Sequence, residues 1–273
     1  MLNIISILVD NITFTDEHFL GEPGLCYWIE AEGKKILFDL GFSDTYIRNA
    51  KKLKISLSKT NYIILSHGHN DHTEGLKFFP FASKKIQLIS HPDCLLPKYV
   101  SGDQYIGSPL NKEIVSDKFS YIQSEKPYFI TPNIAFLGRI KEKYDFEERE
   151  PIGFIIRNNK KENDLLFDDS ALAIKTKKGV VIITGCSHSG ICNIVASVKE
   201  IFKGEKIYSI IGGFHLRKSS MERLEETMKV LKKEVMGLIY PAHCTDFGAK
   251  CFLAKHLKTE KVYVSKKIIF NEN

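Results

Sequence analysis

The sequence feature that most constrains this chain is a dense group of histidines and an aspartate directly after a short apolar run. Residues 62–65 are apolar and predict a buried strand, and His67, His69, Asp71 and His72 follow it. Because successive side chains of an extended chain alternate in direction, the two nearest histidines point to the same side. The aspartate and the third histidine begin a predicted helix, which brings a carboxylate and another imidazole near the same point.

These residue types are the ones that proteins use to bind transition metals. Imidazole nitrogens suit zinc or iron, and a carboxylate oxygen also admits harder ions such as manganese. The alternative interpretation is a polar loop with incidental histidines. So many ligand-type side chains directly after a strand argue against that alternative. The run therefore predicts half of a two-metal site.

The pattern His-x-His-x-Asp-His at 67–72 resembles the signature of the metallo-β-lactamase-fold superfamily. Leu-Phe-Asp-Leu-Gly at 37–41 is similar to the Asp-x-Gly strand end of that superfamily, and Tyr-Pro-Ala-His at 240–243 is similar to its last ligand histidine. The resemblance implies an α/β fold, a four-layer αββα sandwich, and an enzyme. It also implies two divalent transition-metal ions, with zinc favoured and manganese or iron as alternatives.

The chain departs from the superfamily pattern at two ligand positions. Cys186 stands where the superfamily has a bridging aspartate, and positions 92–187 contain no histidine to serve as the third ligand of the first metal. We expect His188 to take that place. Cys186 is interpreted either as a thiolate ligand or as a buried thiol. The alternatives to His188 are His91, His215 and Asp168.

Three later strands, predicted at 179–183, 207–211 and 235–240, each lead into a histidine. Strand ends gather at one edge of a sheet in α/β proteins, which predicts one site there. The predicted metal ligands are His67, His69, Asp71, His72, His188 and His243.

Two residues are predicted to act in catalysis. Asp71 is expected to hold the nucleophile while it binds metal, and His215 to donate a proton to a phosphate or leaving oxygen, unless it is only a structural loop histidine. Asp39 either orients a ligating histidine or caps the following helix.

Three short phrases, Gly-Cys-Ser-His at 185–188, Gly-Gly-Phe-His at 212–215 and Ala-His-Cys-Thr at 242–245, resemble a subgroup of the superfamily. That subgroup is linked to dihydropterin (ribofuranosyl)aminobenzene phosphate synthesis. The resemblance implies a hydrolase or transferase for an anionic, phosphorylated, pterin-like small molecule, acting through a metal-bridging hydroxide or a metal-polarised substrate. The alternatives are a nuclease or phosphodiesterase of the same fold, and a metal-dependent binding or sensor protein without turnover.

Composition limits the partners and the cellular setting. The hydrophobic fraction of 43% and the charged fraction of 26% are ordinary for a globular protein with a full core. The net charge of +6 comes from dispersed lysines, which suggests anionic substrates and disfavours nucleic acid. The six cysteines form no CxxC pair, which favours reduced thiols in a cytoplasm.

The sequence also predicts how the chain is organised. Residues 1–9 predict a first strand rather than a signal peptide, and no run approaches the roughly 20 apolar residues that span a membrane. We predict a single domain over 1–273 with an insertion at about 93–163. That stretch lacks periodicity, so we expect it to cap the site. The oligomeric state is left open.

Overall fold

The computed structural model describes residues 2–80 and 86–271. The strands are, in chain order, β1 (Leu2–Val9), β2 (Cys26–Ala31), β3 (Lys34–Phe38), β4 (Tyr62–Ile64), β5 (Gln87–Ser90), β6 (Lys98–Val100), β7 (Gln104–Tyr105), β8 (Ser120–Gln123), β9 (Tyr128–Thr131), β10 (Ile134–Phe136), β11 (Phe154–Arg157), β12 (Lys160–Asn163), β13 (Ala171–Thr176), β14 (Gly179–Thr184), β15 (Ile207–Gly213), β16 (Ile239–Ala242) and β17 (Lys267–Asn271). The α-helices are α1 (Thr45–Lys52), α2 (Asn70–Thr73), α3 (Lys112–Lys118), α4 (Ile191–Ile201), α5 (Met221–Glu234) and α6 (Phe247–His256).

The described residues divide into two compact units, and unit 1 draws on those at 2–80, 86–124, 151–168 and 263–271. Its main sheet has seven strands in the order β17-β1-β2-β3-β4-β5-β8, with β3, β4, β5 and β8 parallel. Apolar side chains from this sheet pack with α1, and Trp28 and Tyr46 are among the largest buried ones. A smaller sheet, β12-β11-β6-β7, also lies in unit 1.

The predicted hairpin at the start of unit 1 is confirmed, and its turn explains its register. Ala31 pairs with Lys34, so the connection between β2 and β3 is only Glu32 and Gly33. Both residues have positive φ, 49° and 73°. Two such residues give the turn whose twist matches that of the flanking strands, which fixes the pairing of β2 with β3.

The parallel pair β3 and β4 places the first functional residues side by side. Phe38 pairs with Ile64, and the amide of Asp39 donates to the carbonyl of Ile64 at 2.9 Å. Both strands therefore end at the same edge of the sheet. Asp39 follows one strand and Ser66 opens the histidine run that follows the other.

Unit 2 draws on Glu125–Glu150 and Asp169–Val262. Its sheet has six strands in the order β16-β15-β14-β13-β10-β9, and β14, β15 and β16 are parallel. Helices α4, α5 and α6 supply the rest of a separate apolar core, with Val195, Leu231 and Leu253 buried. The predicted hairpin of β13 with β14 and the helix α4 are both confirmed.

The segment at about 93–163 is more regular than its sequence indicated. Strand β8 joins the main sheet of unit 1, β9 and β10 join the sheet of unit 2, and β6, β7, β11 and β12 form the small sheet. Strands this short show no clear alternation of apolar and polar residues, so their period is hard to detect. A capping role for this segment and the single-domain description stay predictions.

Two differences occur toward the end of the chain. Helix α5 continues to Glu234 and the amide of Val235 still donates to Leu231, so β16 begins at Ile239 instead of residue 235. Helix α6 and strand β17 were not predicted. Throughout 2–80 and 86–271, the helices are all too short or too polar to cross a bilayer.

Asn49 on α1 gives a test of how the fold of unit 1 is held. Its buried side-chain amide donates to the carbonyls of Leu8 and Leu20, both at 2.8 Å, and its oxygen accepts from the Leu20 amide at 3.1 Å. Asn49→Ala leaves these backbone groups without that partner, so we expect a loss of about 2–4 kcal/mol in the free energy of unfolding. Denaturant titration measures it.

The matched control is Asn61→Ala, which removes one exposed bond, from the Lys35 amide at 2.8 Å. We expect it to cost less than about 1 kcal/mol. Equal losses in the two variants would contradict the assigned role of Asn49.

Candidate metal centre

Three histidines of unit 1 meet in one buried cluster. Nε2 of His67 lies 3.1 Å from Nδ1 of His69, and the rings of His67 and His72 have centroids 4.2 Å apart. Two nitrogens bound to one zinc ion are separated by about 3.3 Å. The predicted alignment of His67 with His69 is therefore present, and the pair has the spacing of ligands on one ion.

The carboxylate of Asp39 sets the orientation of two of these histidines. Its oxygens accept from the amide and the hydroxyl of Ser66, each at 2.7 Å, and from Nδ1 of His72 at 2.7 Å. The Ser66 hydroxyl, which donates to Asp39, is 2.9 Å from Nδ1 of His67 and accepts the proton there. Both histidines thus carry their proton on Nδ1, which makes Nε2 the nitrogen with the lone pair.

The alternative role of Asp39 as a helix cap is wrong, because Asp44 is the N-cap residue of α1.

The carboxylate of Asp71 lies beside the ring of His72. One oxygen of its carboxylate lies 3.7 Å from Nε2 of His72, and its side chain is partly exposed. The pair offers a nitrogen and an oxygen to an ion.

Burial keeps His69 in the protonation state that metals require. His67 and His72 are fully buried and His69 is nearly so. Burial, with the charge of Lys98 as a second cause, lowers the pKa of His69 to about 4. The imidazole is therefore neutral at pH 7 and can bind metal without losing a proton.

A buried ion pair anchors the loop that carries these histidines. The ammonium of Lys98 lies 3.0 Å from Asp168 and 2.8 Å from Asp164, and the second oxygen of Asp168 accepts from the amide of Gly68 at 2.8 Å. Burial would raise the pKa of Asp168, but Lys98 holds it below its usual range. Both oxygens of Asp168 have protein partners, which favours an anchoring role over the ligand role considered for it.

Gly68 allows the loop to pack this closely. A Cβ at this position would lie 2.0 Å from the carbonyl oxygen of Cys94 and 2.8 Å from the side chain of Lys98.

His91, another alternative ligand, accepts from the amide of Asp93 at 3.1 Å through its Nδ1. It thereby caps the short 3₁₀ turn at Pro92–Leu95, a structural role.

Unit 2 carries a second donor set at the ends of its parallel strands. Ligand atoms of Cys186, His188 and His215 lie within 4.8 Å of one another, and so do those of Cys186, His243 and Cys244. The rings of His188 and His215 have centroids 4.2 Å apart. The predicted histidines of β14, β15 and β16 therefore converge within this unit, together with two thiols.

Left-handed backbone conformations set the direction of these side chains. Ser187, His215 and His243 have positive φ of 60°, 49° and 45°. Such conformations cost about 1–3 kcal/mol each in non-glycine residues and persist where the surroundings hold them. Side-chain contacts do so here: the hydroxyl of Ser187 donates to Gly213 at 2.6 Å, and that of Thr245 accepts from the Phe214 amide at 2.9 Å.

The thiol of Cys244 has polar neighbours. It donates to the carbonyl of Cys186 at 3.3 Å. Burial raises its pKa, but hydrogen bonds with the Cys186 and His215 side chains, and the nearby His243, bring the pKa well below the usual value. Sequence reasoning did not select Cys244 as functional, although it is part of the quoted phrase Ala-His-Cys-Thr.

Both donor sets fit a transition metal chemically. Unit 1 supplies imidazoles and a carboxylate with fixed tautomers, and unit 2 supplies imidazoles and thiols. These are the donors that zinc and iron prefer. Sequence reasoning also missed the loop anchors Lys98 and Asp164, for which no local pattern exists.

Asp39→Asn tests whether the carboxylate serves the metal ligands. The amide keeps the shape but lacks the charge and the second acceptor oxygen, so His72 and Ser66 lose their common partner. We expect zinc affinity to fall about 10–100-fold. Competition with a chromophoric chelator measures it. The control is Asp44→Asn at the N-cap of α1, a carboxylate paired with exposed Arg48, which should leave the affinity unchanged. Unchanged affinity in Asp39→Asn would refute the orienting role.

Lys98→Met tests the loop anchor. The methionine leaves two buried carboxylates without their cation, so we expect a loss of about 3–5 kcal/mol in the free energy of unfolding near pH 7. The depressed pKa of Asp168 in the wild type stabilises the fold above its unfolded pKa of about 3.9, and that contribution is lost as the pH falls. The difference between variant and wild type should therefore narrow toward acid pH.

Lys141→Met is the matched control, because Lys141 is 80% exposed in a 3.4 Å pair with Glu200. Its unfolding curve should match the wild type at every pH. If the loss in the free energy of unfolding of Lys98→Met relative to wild type stayed constant with pH, the ion-pair explanation would be wrong.

Comparisons with known proteins agree with this geometry. Residues 20–205 match the profile of the metallo-beta-lactamase superfamily. The chain is 34% identical over 268 residues to a protein of Methanocaldococcus jannaschii named 7,8-dihydropterin-6-methyl-4-(beta-D-ribofuranosyl)-aminobenzene-5'-phosphate synthase, covering 92% of this chain and 91% of that one.

Solved structures show the same fold. Tm1679, a metal-dependent hydrolase of the beta-lactamase superfamily, has a TM-score of 0.84 and 30% identity, covering 97% of this chain and 98% of its own. YhfI of Bacillus subtilis, a metallo-beta-lactamase fold protein, has a TM-score of 0.61 at 14% identity, covering 98% and 99%. The predicted α/β fold is confirmed, and the chain belongs to the metallo-beta-lactamase superfamily.

Proposed function

We propose that this protein is a two-metal-dependent enzyme that hydrolyses or transfers a group on an anionic, phosphorylated small molecule, with a pterin-like compound as the favoured class. The observation that carries the proposal is the 34% identity, over nearly the full length of both chains, to a relative named as a dihydropterin ribofuranosyl-aminobenzene phosphate synthase. The buried imidazoles and carboxylates of unit 1 support the metal dependence.

The proposed ligands follow the sequence prediction. They are His67, His69, Asp71, His72, His188 and His243, with zinc favoured and manganese or iron as alternatives. The 3.1 Å spacing of His67 and His69 and the tautomers fixed by Asp39 support the first members of this set. When bound, such ions supply Lewis-acid polarisation of the reacting group and a nucleophilic water at neutral pH.

Two residues of the chain are proposed to move protons and orient reactants. Asp71 exposes part of its carboxylate beside His72, so it can accept a hydrogen bond from an attacking group. His215 lies in a loop after β15, and its buried Nδ1 has no hydrogen-bond partner among the described residues. This nitrogen is proposed to donate a proton to a phosphate or leaving oxygen.

Metal content is the first test of this proposal. Wild-type protein should carry up to two transition-metal ions per chain, and His69→Ala should lose at least one, because an imidazole of the cluster is gone. Elemental analysis of purified protein gives the count. His256→Ala, an exposed histidine at the end of α6, should keep the wild-type count. Metal-free protein from both wild type and His256→Ala would end the metal-dependent proposal.

Substrate class is the second test. Metal-loaded protein should turn over phosphorylated small molecules, including dihydropterin with a ribofuranosylaminobenzene phosphate, and leave RNA intact. His215→Ala should lower kcat by about 10²–10⁴-fold with its metal content unchanged. Cleavage of RNA would favour a nuclease, and tight ligand binding without turnover of any phosphoester would favour a sensor protein.

A further inference from the structure

We propose that Cys186 and Cys244 bind, as thiolates, the metal ion that His243 binds, so that the centre contains sulfur as well as imidazole. This inference rests on the proposed metal dependence and goes beyond it, because it chooses between the two interpretations of Cys186 and adds Cys244 to the ligands.

The geometry of unit 2 carries the inference. The two Sγ atoms and a ring nitrogen of His243 all lie within 4.8 Å of one another. In a zinc site with two sulfurs at about 2.3 Å and a nitrogen at about 2.0–2.1 Å, the ligand atoms are roughly 3.4–3.8 Å apart. Separations below 4.8 Å are compatible with that spacing, so the three atoms can share one ion. Three protein ligands would leave a fourth position for a reacting molecule, as in catalytic zinc sites.

The backbone at the end of β15 leaves room for the thiol of Cys244. A Cβ at Gly213 would lie 2.5 Å from Sγ of Cys244, so the glycine at the end of β15 leaves the room that the sulfur occupies. Its carbonyl also holds the Ser187 hydroxyl at 2.6 Å, which fixes the turn next to Cys186. Gly213 therefore both leaves room for the Cys244 sulfur and holds the turn beside Cys186.

The surroundings of these two thiols differ from those of the other buried cysteines. Cys26 and Cys94 pack in the apolar core of unit 1, and Cys192 packs in that of unit 2, where a thiol serves as a small apolar side chain. Cys186 and Cys244 are instead grouped with histidines. Buried thiols beside imidazoles at strand ends have the arrangement of a ligand set.

Sulfur ligands narrow the choice of metal. Thiolates are soft donors that select zinc, iron or cobalt over manganese or magnesium. The proposal therefore disfavours manganese, which the imidazoles and carboxylate of unit 1 leave open.

Cobalt(II) titration of metal-free protein tests the proposal, because cobalt bound to thiolate shows an intense near-ultraviolet charge-transfer band and cobalt bound only to nitrogen and oxygen does not. The wild type should show the band. Cys244→Ser and Cys186→Ser should each reduce it to about half, and the double variant should abolish it. Cys251→Ser removes an exposed thiol on α6 and should leave the band intact.

A measurement on the wild-type protein tests the proposal even if the variants misfold. Zinc-edge X-ray absorption of the wild type should show a zinc–sulfur distance of about 2.3 Å beside zinc–nitrogen distances. Bound metal with only nitrogen and oxygen neighbours would overturn the thiolate proposal and leave the metal-dependent function standing. Failure to bind either cobalt or zinc would refute both. A full band in Cys244→Ser would remove Cys244 from the ligand set.

Discussion

The carboxylate of Asp39 is the interaction on which the site in unit 1 depends. It ends one strand, accepts from the backbone and side chain at the end of the next, and also holds His72 at 2.7 Å. One buried group therefore joins the sheet to the ligand loop and sets the tautomer of two imidazoles. Its own backbone is left-handed, with φ of 53°, a conformation that the contacts with Ser66 and His72 hold in place.

The two units position their candidate metal ligands in different ways. In unit 1 the candidate ligands lie on one continuous run, whose position is fixed by two carboxylates: Asp39 orients imidazoles and Asp168 accepts from the Gly68 amide. In unit 2 the donors come from three separate strand ends, and left-handed residues such as His215 and His243 turn the side chains inward. The first arrangement is visible in a sequence because spacing defines it. The second depends on how the strands pair, which spacing alone does not show.

This contrast explains what the sequence could predict. The hairpin of β2 with β3, helix α4 and the parallel strands carry strong local signals, namely turn residues and apolar periodicity, and they were found. The small sheet of β6, β7, β11 and β12 was missed because each strand is too short for a period to show. Lys98 was missed because its partner Asp168 is 70 positions away. The thiol of Cys244 was missed because its place next to His243 in the sequence does not show that it also lies near Cys186.

Asp168 and Asp169 are consecutive, yet each binds a different loop of candidate ligands. Asp168 belongs to unit 1 and accepts from the Gly68 amide at 2.8 Å, and Asp169 belongs to unit 2 and accepts from the amide of Ser189 at 2.9 Å. The two side chains are chemically the same, so only their positions in the chain decide which aspartate binds which loop. Insertion or deletion of one residue just before this dipeptide would therefore offset both acceptors at once. The number of residues before this dipeptide therefore sets the position of two loops at once, one in each unit.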